Sequence, residues 1–113
     1  MNFFQKLKAG LMYREAVRKA DRAHNSDGGR YYVMPSAEGK LIIMDRKNFR
    51  IFKNKHYISH QAKVKDLERE CFYCTPYRNG TGELPPLVIA IKRKQYLDWY
   101  RKKKKTSTTR PLE

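Results

Sequence analysis

Two cysteines and two histidines form the strongest candidate for site chemistry in this sequence. Cys71 and Cys74 are separated by two residues, and His56 and His60 lie upstream at a spacing that suits one face of a helix. Thiolates and imidazoles are common zinc ligands, and a structural zinc ion requires four ligands. These four residues are therefore a candidate zinc site.

Two other interpretations of the cysteines remain open. If residues 71–75 form a strand, side chains three positions apart point to opposite faces and cannot share a metal without a turn. Cys71 and Cys74 would then be buried thiols beside aromatic rings, because free cysteine is among the most buried residue types. A redox-active dithiol favours a first cysteine at a helix start within a βαβ pattern, and the sequence indicates neither. We expect no cofactor and keep zinc as the alternative.

Other catalytic patterns are not evident in the sequence. The serines lack the flanking glycines of a nucleophile elbow. The glycines at 28–29 and 80–82 match neither the dinucleotide-binding nor the P-loop spacing. We therefore predict that the protein is not an enzyme.

Net charge is the strongest compositional signal. The 113 residues include 26 Lys and Arg against 11 Asp and Glu, which gives a formal net charge of +15. Residues 85–113 alone carry nine basic and two acidic residues, a surplus of +7. Such a surplus attracts anionic surfaces, and neutralising phosphates releases counterions and gives affinity without sequence specificity.

Three groups of basic residues are candidates for phosphate contacts. The first recurs at a spacing of four along a predicted helix and should line one exposed ridge. The second lies in a predicted short helix, and the third follows the C-terminal helix. The predicted contacts are Arg14, Arg18 and Arg22; Arg46, Lys47, Arg50 and Lys53; and Lys92, Arg93, Lys94, Arg101 and Lys102.

These groups predict non-enzymatic binding of DNA or RNA. Tyr77, Tyr96 and Tyr100 could stack on unpaired bases, although Tyr96 and Tyr100 also suit a core. The alternative is a protein-interaction or assembly module, in which the basic surface meets an acidic protein. An exposed apolar patch with scattered bases would favour the alternative, whereas a continuous basic face would favour nucleic acid.

An α+β fold has to position these residues. We expect N-terminal and C-terminal helices packed on one face of a small antiparallel sheet built around a β-hairpin. Asp45 should cap the second helix, and Pro86 should begin the last one. The predicted helices cover residues 2–25, 46–54 and about 86–104, and the predicted hairpin strands cover 30–34 and 40–44. Between the second and the last helix the pattern is less regular. It predicts a short strand over 57–59, a helical turn over 66–70 and a strand over 71–75.

The first helix should be amphipathic. Its apolar stripe is predicted to begin near the N-terminus and to continue beyond Gly10, where it shifts or where another element packs closely. The stripe consists of Phe3, Phe4, Leu7 and Leu11, followed by Tyr13, Ala16, Val17, Ala20 and Ala23.

The chain length suits one domain, which we assign to residues 1–105, with a flexible tail over 106–113 that could end in a cloning remnant. The sequence contains no apolar run long enough for a transmembrane helix and no signal-peptide pattern. Two closely spaced cysteines are not a disulfide framework. We therefore expect a cytoplasmic protein without a membrane partner.

Three segments resemble small uncharacterised bacterial proteins associated with prophages or mobile elements. They are 31–35 (Tyr-Tyr-Val-Met-Pro), 44–49 (Met-Asp-Arg-Lys-Asn-Phe) and 70–76 (Glu-Cys-Phe-Tyr-Cys-Thr-Pro). The similarity extends over roughly residues 30–100. It implies a cytoplasmic accessory role and assigns no activity and no functional residue.

Overall fold

A computed structural model describes residues 2–36, 39–55 and 61–109. Within these ranges the chain forms helices on both sides of a small sheet, so the predicted α+β class is confirmed. The elements in chain order are α1 (Phe3–Asp27), β1 (Tyr32–Pro35), β2 (Leu41–Met44), α2 (Arg46–Asn54), α3 (Val64–Glu70), β3 (Tyr73–Cys74) and α4 (Pro86–Thr109).

Local sequence signals set the helix ends. The side chain of Asn2 accepts a hydrogen bond from the Gln5 N–H at 2.8 Å, and Gln5 in turn accepts from the Asn2 N–H. Gly28 ends α1 in the left-handed conformation at φ 76°, which glycine adopts without steric cost. Asp45 caps α2 as predicted, since its carboxylate accepts the Asn48 N–H at 2.8 Å.

The sheet is antiparallel with strand order β2-β1-β3. The pairing register places Tyr32 opposite Met44 on one side and opposite Cys74 on the other. Because side chains alternate along a strand, this row faces one side of the sheet and the adjacent row, which includes Val33, faces the other. Each face therefore belongs to a separate core cluster.

The helices α1 and α4 cover the face that carries Val33. Tyr96 from α4 is fully buried and donates a hydrogen bond to the Ala9 carbonyl at 2.8 Å. Tyr13 from α1 donates to the Phe72 carbonyl at 2.8 Å, beside β3. These tyrosines bury large rings and satisfy their hydroxyls on the backbone, so they join both helices and the sheet. The predicted packing of the two terminal helices on the sheet is confirmed.

The shorter helices α2 and α3 cover the opposite face. Phe49 of α2 and Leu67 of α3 are both 4% exposed and lie in one cluster with the Tyr32 row. The side chain of Phe52 is partly buried against the same cluster. The small sheet is thus the middle layer of three.

Three details differ from the sequence-based expectations. The first part of the predicted α1 stripe faces outward, and Phe3 and Phe4 are 71% and 75% exposed. The strand β3 is limited to Tyr73–Cys74, and α4 continues to Thr109. The predicted strand over 57–59 lies outside the described residues. None of the helices in the described ranges is long and apolar enough to span a bilayer.

The buried hydroxyl of Tyr96 allows a direct test of the helix pairing. Tyr96→Phe should lower the free energy of unfolding by about 1 kcal/mol, because it removes a buried hydrogen bond while keeping the ring. Denaturant unfolding measures the change. Tyr77→Phe, at a partly exposed tyrosine, is the matched control and should change stability by less. Equal effects of the two substitutions would contradict the assigned role of Tyr96.

Candidate functional site

Cys71 and Cys74 lie on the same side of the chain. Cys71 directly follows α3, Cys74 belongs to β3, and a bend at Phe72 separates them. Both thiols are buried in the same core cluster, where each one affects the pKa of the other. The argument that side chains three positions apart point to opposite faces holds only for a continuous strand, and it does not apply here because the strand begins at Tyr73.

Arg30 places a buried positive charge next to the thiol of Cys74. Its side chain is 5% exposed, and its Nη2 donates to the Cys74 sulfur at 3.1 Å. The guanidinium also stacks over the Tyr77 ring, 4.0 Å from the ring centroid. Among the described residues, neither Nε nor Nη1 of Arg30 has a hydrogen-bond partner. The Cys74 sulfur is thus in direct contact with a cation that the fold holds inside.

Gly82 makes room for this guanidinium. A Cβ atom at Gly82 would lie 2.5 Å from Nη1 of Arg30, and the backbone there has a φ of 79°. Both facts favour glycine, since other residues rarely adopt that conformation. The turn that contains Gly82 is therefore fitted around Arg30.

Lys92 provides a second buried cation next to the thiols. Its ammonium donates to the carbonyls of Cys71 at 2.9 Å and Glu68 at 3.1 Å. It thereby binds the carboxyl end of α3, where helix carbonyls lack partners and the helix dipole favours a cation. Lys92 is 8% exposed, so it is part of the interior rather than of the predicted phosphate-binding set.

The two thiols have opposite electrostatic environments. Hydrogen bonds from Cys71 and from Arg30 lower the pKa of Cys74 well below that of an ordinary thiol, in spite of burial. The hydrogen bond to Cys74, together with burial, raises the pKa of Cys71 far above that value. Cys71 also donates to the Glu68 carbonyl at 3.3 Å. The favoured state is therefore a Cys74 thiolate that accepts a hydrogen bond from a protonated Cys71.

The zinc alternative requires two histidine ligands in addition to the two thiols. His56 and His60 lie outside the described residues. In the ranges that are described, no three or more side chains of the metal-binding types converge. Two thiols alone are half of a structural zinc site.

The basic groups of α1 and α4 meet at a groove between these helices, which we call the α1–α4 groove. Arg93 extends across α1, and its Nη2 lies 3.8 Å from a Cβ position on Gly10. This separation is an ordinary van der Waals contact. The groove has a volume of about 260 Å³ and is lined by Phe3, Lys6, Leu7, Gly10, Leu11, Arg14 and Arg93.

The other predicted basic residues of α1 and α4 lie on the same layer of helices as the groove. Arg18 and Arg22 are exposed on α1, so the predicted ridge with Arg14 is present. Lys94, Arg101 and Lys102 are exposed on α4. Arg101 also pairs with Asp98 at 3.2 Å in an exposed position, where such a pair adds little stability.

The second basic group, that of α2, lies on the other side of the molecule. Arg46, Lys47 and Arg50 are exposed on α2, which packs on the opposite face of the sheet from α1 and α4. Lys53 is half-buried and donates to the Ala62 carbonyl at 2.7 Å. The predicted residues therefore divide between two surfaces instead of forming a single face.

Sequence reasoning missed several lysines beside α1. Lys8 and Lys19 from α1 and Lys40 from the hairpin line a cleft of about 640 Å³ between α1 and β2. A spacing of eleven residues between Lys8 and Lys19 repeats one helix face, but Lys40 reaches it only through the fold. Of the predicted stacking residues, Tyr96 and Tyr100 are buried and Tyr77 stacks on Arg30.

The groove is also bordered by exposed apolar side chains. Phe3 and Phe4 make an edge-to-face contact with ring centroids 5.7 Å apart, and Leu7 and Leu11 are 52% and 54% exposed. Ala9 and Tyr13 are each two residues from Leu11 in the sequence, and their side chains face the core instead. Apolar side chains beside cations are suited to a partner that is both anionic and partly apolar.

Comparisons with protein-family models, curated proteins and solved structures gave no significant match to this chain.

The depressed pKa of Cys74 predicts a stability that depends on pH. Between the folded pKa and the unfolded value of about 8.5, the unfolded chain binds more protons, so stability from the thiolate rises with pH and is lost as pH falls. Cys71 stays protonated in the folded state over this interval. The difference in unfolding free energy between the native protein and Cys74→Ser should grow by on the order of 1 kcal/mol from about pH 5.5 to 8. A constant difference in denaturant unfolding over this range would refute the thiolate assignment.

Proposed function

We propose that this protein binds nucleic acid without catalysis, through phosphate contacts along the α1–α4 groove. The observation that carries the proposal is the position of Arg93, which brings the basic group of α4 next to Lys6 and Arg14 of α1. Phosphates one or two nucleotides apart could contact cations on both helices at once. Affinity of this kind comes mainly from counterion release.

Single-stranded nucleic acid suits this surface best. Phe3 and Phe4 expose most of their rings at the same end of α1 that carries Lys6. Unpaired bases stack on such rings while cations track the phosphates, and neither contact requires a particular sequence. We keep a cytoplasmic location as part of this proposal, since both cysteines are free thiols.

Neutralising two groove arginines should weaken binding and its dependence on salt. Arg14→Gln/Arg93→Gln should lower affinity for a single-stranded oligonucleotide by about tenfold. The slope of log K against log salt should become shallower by about 1.4, that is, 0.7 for each lost phosphate contact. Fluorescence anisotropy of a labelled oligonucleotide at a series of salt concentrations measures both quantities.

Arg46→Gln/Arg50→Gln is the matched control, because it removes the same charge from α2 on the opposite sheet face. It should change affinity by less than about threefold and leave the slope nearly unchanged. Equal losses in the two variants would mean that net charge, and not the groove, determines binding. Absence of binding by the native protein at low salt would end the proposal.

A protein-interaction module is the second candidate, and the exposed apolar stripe of α1 favours it. Leu7 and Leu11 lie in the groove between cations, an arrangement that fits an acidic amphipathic helix. Its apolar face would cover the leucines and its carboxylates would pair with Lys6, Arg14 and Arg93. Such binding would be less sensitive to salt than binding to nucleic acid.

Substituting the leucines separates the two candidates. Leu7→Asn/Leu11→Asn should weaken binding of a labelled acidic amphipathic peptide by at least about tenfold, because it removes two apolar contacts. The same variant should retain its affinity for the oligonucleotide. Leu87→Asn/Ile91→Asn removes apolar side chains of similar exposure from α4 and serves as the control. The second candidate would be excluded if the native protein did not bind the peptide. It would also be excluded if both double variants weakened peptide binding equally.

A further inference from the structure

We propose that Cys71 and Cys74 are a reversible redox site, at which a small disulfide such as glutathione disulfide converts the two thiols into an intramolecular disulfide. The site lies on the opposite sheet face from the groove and does not depend on either proposed function. It is distinct from a zinc site because it requires only the two cysteines and the cations beside them.

The geometry of the bend at Phe72 supports the pairing. Cys71 and Cys74 flank this bend and are both buried in the same core cluster, so the fold keeps the two thiols in one small part of the interior. A disulfide requires Cβ atoms about 3.8 Å apart, a separation that neighbouring thiols on one bend reach with small changes. The strand β3 is only two residues long, so little of the backbone ladder resists such a change.

Arg30 identifies Cys74 as the nucleophile. A buried guanidinium is costly unless an anion is close. The carboxylate of Glu68 is 3.7 Å away and half-exposed, whereas the Cys74 sulfur is buried at 3.1 Å. The thiolate of Cys74 is thus the internal counterion of Arg30. Cys71 keeps its proton, which it donates to the Glu68 carbonyl, and acts second.

The proposed reaction is two successive thiol–disulfide exchanges. The Cys74 thiolate attacks one sulfur of glutathione disulfide, forms a mixed disulfide and displaces one glutathione as a thiolate. That thiolate takes the proton of Cys71. The Cys71 thiolate then attacks the Cys74 sulfur, forms the Cys71–Cys74 disulfide and displaces the second glutathione. The two protein sulfurs together lose two electrons, which reduce glutathione disulfide to two glutathione molecules.

Arg30 should also set the equilibrium of this reaction. The disulfide is neutral, so oxidation removes the anion that accompanies the buried guanidinium. The reduced form is therefore selectively stabilised, and the native pair should be harder to oxidise than the same pair in the unfolded chain. Because both thiols are buried, exchange requires local opening and should be slow.

The test is equilibration of the full chain in buffers with different ratios of reduced to oxidised glutathione. Acid quenching, alkylation and mass spectrometry then measure the fraction of protein that carries the intramolecular disulfide. Arg30→Met should shift the equilibrium toward the disulfide by at least about tenfold, which corresponds to about 30 mV. Arg69→Met removes an exposed arginine near the same segment and should leave it unchanged.

A second measurement protects the test against misfolding of Arg30→Met. In Cys71→Ser, the thiolate absorbance of Cys74 should titrate below the ordinary thiol value, and in Cys74→Ser that of Cys71 should not. The proposal is overturned if the folded protein forms only mixed disulfides with glutathione, or if no intramolecular disulfide forms even in glutathione disulfide alone. It is also overturned if Arg30→Met folds without shifting the equilibrium, or if both single thiols titrate at the ordinary value.

Discussion

The fold depends on covering a very small sheet on both faces. Three strands, the last of only two residues, cannot form an independent sheet in water. The register assigns alternate residues to two separate clusters, with Val33 in one and Tyr32 in the other. Each cluster is stable only if helices cover it, so the positions of α1 and α4 on one face and of α2 and α3 on the other follow from the sheet. The location of each candidate site follows from this division. The α1–α4 groove lies on one side of the sheet, and the two thiols lie on the other.

The division explains why some cations are exposed and others are not. Arg30 and Lys92 enter the interior where short elements end, and there they bind a thiol and helix carbonyls. A buried Lys or Arg is tolerated only with such partners. Arg30, in the segment between α1 and β1, and Lys92 of α4 therefore connect these parts of the chain to Cys71 and Cys74, which belong to the second cluster. Part of the positive charge counted in the composition therefore lies in the interior, where it binds other groups of the fold.

The long elements were predictable from the sequence because their signals are local. Asp45, Gly28 and the apolar hairpin strands specify their ends and faces by short-range rules. The burial of Lys92 was not predictable, since it depends on α4 reaching the end of α3, more than twenty residues earlier. The same holds for the contact of Arg30 with Cys74, which are 44 residues apart. The outward direction of Phe3 and Leu7 could not be read from the helix itself, because Ala9 and Tyr13 define a competing inward face.

The sequence did contain one indication of the groove, namely the glycine in the middle of α1. A helix-interior glycine costs stability relative to alanine. At Gly10 the guanidinium of Arg93 lies 3.8 Å from a Cβ position, an ordinary contact distance, so Gly10 marks where α4 approaches α1 without the contact itself requiring glycine. The approach of two like-charged helices is unfavourable in itself, because Arg14 and Arg93 line the same groove. The buried tyrosines that join α1 to α4 oppose this repulsion, and an anion in the groove would relieve it. The packing of the core thus creates a concentrated positive surface that the chain would not form if its charges alone determined the structure.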